Sequence, residues 1–152
     1  MNSPNLEYQR DFCRWIAQNV QWLRQGRFAE MDALNIAEEL ESMSISYHHA
    51  LINRLKILLM HLLQWQFQPA KRTRSWKRTI IEQRQRIQQL LEGSPSLQYQ
   101  ISEKLTKAYQ YAVPLAACET GLPKSTFPNQ CQFTLEQILN EDFYPDADPS
   151  NR

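Results

Sequence analysis

Apolar residues recur at three- and four-residue spacing through most of the chain, the period of helices that bury one side. The stretch from Leu51 to Phe67 goes further. Leu51, Ile52, Leu55, Leu58, Leu59, Leu62 and Leu63 form one stripe, and Ile57 and Met60 add apolar surface on the opposite side. A helix that is apolar on nearly every face needs neighbours on every face, so this stretch is read as the buried central helix of an all-α fold. Spanning a bilayer takes about twenty apolar residues. Arg54, Lys56, Gln64 and Gln66 interrupt this run, so no membrane partner is expected.

The flanking pattern predicts the other elements. A helix from Tyr8 to Gln25 carries Tyr8, Phe12, Trp15, Ile16 and Leu23 on one face, with Asp11 and Asn19 on or beside that stripe, and Gly26 is placed to stop it. Asp32 is a candidate cap for a second helix, Ala33 to about Met43, with Ile36, Leu40 and Met43 inward. The serines between Ser42 and Ser46 mark a break or bend before the central helix, which Pro69 ends. A fourth helix runs from Ser75 to Leu91 with Trp76, Ile80, Ile87, Leu90 and Leu91 inward, and Ser96 is ready to cap a fifth. Pro114 either kinks that fifth helix or starts a new piece. Residues 122–133 read as an extended, proline-bearing segment laid across the bundle, and Thr134 to Gln137 form a capping box that opens a short helix through Leu139.

The expected architecture is therefore a single-domain helical bundle of about six helices over residues 8–144, between an N-terminal tail of residues 1–7 and an acidic, frayed C-terminal tail of residues 145–152. With 152 residues and three glycines, the chain is long enough to bury roughly two-thirds of its unfolded surface and carries little that favours strands. Its start has no apolar core behind a basic end, so no signal peptide is expected. Cys13, Cys118 and Cys131 are odd in number and far apart, which points to the reducing cytoplasm and away from a disulfide framework or a cysteine zinc site.

Charge is nearly balanced overall but not along the chain. Residues 1–50 hold four basic and seven acidic side chains, residues 51–91 nine and one, and residues 92–152 four and eight. Either the acidic flanks neutralise the basic middle, or that middle faces an anionic partner.

The segments YQRDFCRWIAQNVQWLRQGRF, ALNIAEELESM, LLMHLLQWQFQP, RSWKRTIIEQRQRI and ETGLPKSTFPNQCQFTLEQILNEDF resemble, in order, those of a bacterial family abundant in cyanobacteria, catalogued as domain of unknown function 29. The resemblance runs from about Tyr8 to Tyr144. It implies a soluble, wholly helical bacterial protein and carries over no catalytic residue.

Three constellations could carry chemistry. Asp11, Glu39 and His61, with His48 as a fourth, fall near apolar stripes on different helices, the way helical bundles build metal sites. Against that, the Glu-x-x-His pairs of di-iron bundles are missing, and a hydrogen bond from His61 to Asp11 or Glu39 would serve as well. Residues 71–88 hold seven basic groups and one acid, and Lys71, Arg72, Arg74, Lys77, Arg78 and Arg86 are the candidate nucleic-acid contacts. They fan across the polar side of their helix, however, and do not line one stripe. Arg84, beside the apolar stripe, is expected to pair with Glu39 or Glu119. Trp22 lies at the margin of its stripe and is the candidate protein-binding anchor.

No G-x-S-x-G motif or glycine-rich phosphate loop occurs, so hydrolase and kinase classes drop out and no cofactor is expected. The leading expectation is a non-catalytic cytoplasmic module that binds another protein. The runner-up is a metal-assisted enzyme using Asp11, Glu39 and His61, and the third is a nucleic-acid binder using residues 71–88.

Overall fold

The computed structural model describes residues 4–148, and among them it holds six α-helices and no strand. These are α1 (Pro4–Arg10), α2 (Phe12–Arg24), α3 (Ala33–Phe67), α4 (Arg74–Gly93), α5 (Ile101–Thr120) and α6 (Leu135–Leu139). The all-α expectation holds. The expected tails lie partly outside the described residues, at 1–3 and 149–152, and α1 begins within the stretch expected as the N-terminal tail. The chain divides into two compact units, the first ending at Ser46 and the second beginning at Tyr47.

In the first unit, the helix expected from Tyr8 to Gln25 is two helices. Asp11 leaves the helical region (φ −146°, ψ 86°) and its carboxylate accepts the Arg14 N–H at 3.1 Å, so it caps α2. Gly26 ends α2 as expected. It sits at φ +72°, its N–H reaches Leu23 O at 3.1 Å, and the Arg27 N–H reaches Trp22 O at 2.9 Å, the paired bonds of a Schellman stop. The expected break at Ser42–Ser46 is absent, and α3 runs through it. Ser46 donates its hydroxyl to Ser42 O at 3.0 Å, so the serine is satisfied inside the helix without opening it.

The second unit is built on the stretch from Leu51 to Phe67. Leu51, Leu55, Leu58, Leu59 and Leu62 are fully buried. Ile80 and Ile87 of α4 join the same core. So do Ala108, Ala112 and Ala116 of α5, fully buried at four-residue spacing. Pro114 neither breaks α5 nor starts a new piece; it is exposed, and the carbonyl that loses its donor belongs to the exposed residue Gln110. The start of α5 differs from expectation, because Pro95–Gln98 is a 3₁₀ turn around buried Leu97, and Gln100 at φ 55° turns the chain into Ile101.

Residues 122–133 do lie on the core. Phe127 packs edge-on against Phe67 with ring centroids 5.0 Å apart. The capping box forms as expected, with Gln137 N to Thr134 Oγ1 at 3.1 Å and Thr134 N to Gln137 Oε1 at 3.0 Å. The C-terminal segment is tied down further than expected: Pro145 is buried, and the Asp148 N–H donates to Gln66 O at 3.0 Å.

Leu59→Ala should destabilise the second unit by about 3 kcal/mol through lost burial and a residual cavity. Tyr99→Ser, at a side chain 72% exposed, should stay within about 0.5 kcal/mol. Urea titration of both variants checks the contrast.

Candidate functional site

In the first unit, α2 and α3 up to Ser46 carry the apolar stripes that their spacing predicts, but they do not close a core over them. Trp15 and Asn19 are the buried residues of α2. Phe12, Ile16, Val20 and Leu23 of α2 stand exposed, as do Leu40 and Met43 of α3. With Met31 and Ile36 they line an open groove of about 480 Å³ whose polar members are Asn19 and Glu39. Exposed apolar residues scattered singly are ordinary; a continuous apolar trough is the usual mark of a binding surface.

Polar bonds hold α1 and α2 to α3 and the turn before it beside this trough. Tyr8 donates its hydroxyl to Glu39, and Trp15 Nε1 donates to Asp32 Oδ2 at 2.9 Å. Asn19 donates from Nδ2 to Trp15 O at 2.8 Å and accepts the Asp32 N–H at 2.9 Å, so this buried amide is satisfied as its position beside the stripe required. The rings of Tyr8, Phe12 and Trp15 pack together, the closest pair, Tyr8 and Trp15, having centroids 4.8 Å apart. The bond to Glu39, then partial burial and the nearby carboxylates, push the Tyr8 pKa from 10.0 up to about 12.

The candidate metal ligands are each engaged locally. Asp11 caps α2, Glu39 takes the Tyr8 hydroxyl, and His61 Nδ1–H donates to Ile57 O of its own helix at 2.9 Å. His48 is half-buried on α3. Among the described residues no three of His, Cys, Asp and Glu are grouped as a metal ion would need. Asp11 and Glu39 belong to the first unit and His61 to the second.

The family model for Domain of unknown function DUF29 matches residues 7–144, nearly the whole chain. The chain belongs to this family. No curated protein and no solved structure matches it. No helix among the described residues of this DUF29 member is long and apolar enough to cross a membrane.

The basic segment of the DUF29 chain is partly used internally. Arg72 donates to Trp65 O at 2.9 Å and lies 4.8 Å over that ring, Lys77 sits 5.5 Å over the Tyr144 ring, and Arg86 pairs with Glu82 at 3.3 Å. Lys71, Arg74 and Arg78 are exposed. Arg84 does not take a carboxylate as expected. Buried, it donates to Ile138 O at 2.8 Å, Phe143 O at 2.6 Å and Glu141 O at 3.4 Å, and it lies 5.4 Å over Tyr144. Burial pushes the guanidinium pKa down, and the nearby Tyr144 and Glu141 work against that. Trp22 is half-buried and is not among the groove's lining residues. The anchors that the stripe offers instead are Val20 and Met43, and Val20, four residues after Ile16, could have been read from spacing.

Two phenols should titrate late, Tyr8 for the reason given and Tyr109, at about 12, because of burial and then the negative charge of the neighbouring Cys131 thiolate. Both folded values lie above the unfolded 10.0, so the stability they contribute is complete below pH 10 and disappears as pH rises through 12. Phenolate absorbance in alkaline titration should lose one late step in Tyr8→Phe and the other in Tyr109→Phe; an early Tyr8 step would contradict its bond to Glu39. Separately, Arg84→Leu should cost about 3 kcal/mol by stranding carbonyls of residues 138–143. Faster amide exchange in that segment would show it.

Proposed function

We propose that this DUF29 chain is a non-catalytic cytoplasmic module that binds protein through the groove of its first unit. The observation that carries the reading is the run of six exposed apolar side chains along α2 and α3 in a trough with two polar members. Its shape suits an amphipathic helix, laid with apolar anchors at three- and four-residue spacing into the gap between α2 and α3. The cytoplasmic assignment rests on the odd, widely spaced cysteines. Neither the metal reading nor the nucleic-acid reading gains support from the side-chain geometry: the proposed ligands hold separate local bonds, and Arg72, Lys77 and Arg86 already have partners within the chain.

A photoreactive residue placed at Val20 tests the reading in living cells. It should form adducts with a protein chain, whereas the same residue at Gln18, exposed on another side of α2, should not. Equal yields at the two positions, or none at Val20, would reject the groove as a docking face.

A further inference from the structure

Resting on that reading, we infer that the occupant of the groove is the groove of a second copy of this chain, so that two first units form a four-helix arrangement about a two-fold axis. Three observations lead there.

The first is incompleteness. A unit ending at Ser46 is smaller than the roughly 60 residues at which an unaided core becomes adequate. Its helix α2 buries only Trp15 and Asn19. Besides the short α1, the unit offers two helices that share one apolar face, half of a four-helix bundle, and a second copy supplies the other half. Such a contact is isologous, each copy offering the same surface.

The second is charge. Within its bounds α2 carries Arg24, Arg14, which pairs with Glu7 of α1 at 3.2 Å, and no acid, whereas α3 up to Ser46 carries Glu38, Glu39 and Glu41 and no base. A two-fold axis running along the helices sets α2 of each copy against α3 of the other. The helix that carries Arg24 then meets the acidic one twice. The unit is therefore complementary to itself, although its net charge is negative.

The third is area. Phe12, Ile16, Val20, Leu23, Leu40 and Met43 are 41% to 60% exposed. Covering them removes about 500 Å² per copy, or about 1,000 Å² for the pair, which reaches the lower bound for a specific interface.

Sedimentation velocity of the full chain over a concentration series tests the inference. The wild type should run as a dimer, and the Val20 photo-adduct should have twice the chain's mass. Leu40→Glu and Val20→Glu each place a charge in the seam of both copies and should raise the dissociation constant by about a hundredfold or more, with far-UV circular dichroism unchanged. Two variants on different helices guard against one of them failing to fold. A dimer that survives both substitutions would overturn the inference, because the contact would lie elsewhere. A monomeric wild type whose Val20 adduct is a different protein would overturn the second copy but leave the docking reading standing. A monomer with no Val20 adduct would overturn both.

Discussion

Covering a helix that is apolar on nearly every side is the requirement on which the second unit depends. Each leucine of α3 from Leu51 to Leu63 contributes roughly 1.5–3 kcal/mol when removed from water, and only if something lies over it. The parts of the unit meet that need in different ways. The alanines of α5 and the isoleucines of α4 join its core, and Phe127 on the proline-bearing segment lies against Phe67. Tyr144 reaches the last turn, with its ring 4.9 Å from that of Trp65. Even the basic residues of α4 serve this packing, since Lys77 and Arg84 both lie over Tyr144. Much of the positive charge in the middle of the sequence thus has a structural use.

The first unit shows the same amphipathic spacing with the opposite outcome. Its helices are fastened by Tyr8 on Glu39, Trp15 on Asp32 and Asn19 on the Asp32 backbone, directional bonds that fix how α1 and α2 meet α3 and the turn before it. Those bonds set the width of the trough without covering it. A polar seam of this kind keeps an apolar surface presentable, because it holds the helices at a set spacing where hydrophobic contact alone would let them slide together.

Periodicity made the helices and their faces legible. Phe12, Ile16, Leu40 and Met43 are on the stripes their spacing assigned, and the capping box at Thr134 stands where its residues predicted. Periodicity does not say whether a stripe is covered, so exposed Leu40 and buried Leu59 look alike in sequence. Nor does it say what meets across helices. Asp11 has the wheel position of a ligand, yet a side chain at a helix start is claimed by the nearest free N–H. His61 was claimed in the same way by the carbonyl four residues back. Arg84 was rightly placed beside the core, but three backbone carbonyls satisfied it where a carboxylate was anticipated, and main-chain acceptors cannot be read from side-chain pattern. The continuous α3 was missed for a similar reason, since serine bonds to its own helix as readily as it ends one.

The Arg84 bonds also bear on the order in which the chain can settle. Their partners lie 54, 57 and 59 residues further along. During synthesis, a chain grown only as far as α5 has its central leucines and most of their cover but lacks every acceptor for this guanidinium. The charge would have to stay hydrated, holding α4 away from the position in which its isoleucines seat. The last short helix and the strand of chain behind it therefore act as the latch of the second unit, and an interrupted translation product would be left with a wet, unfinished core.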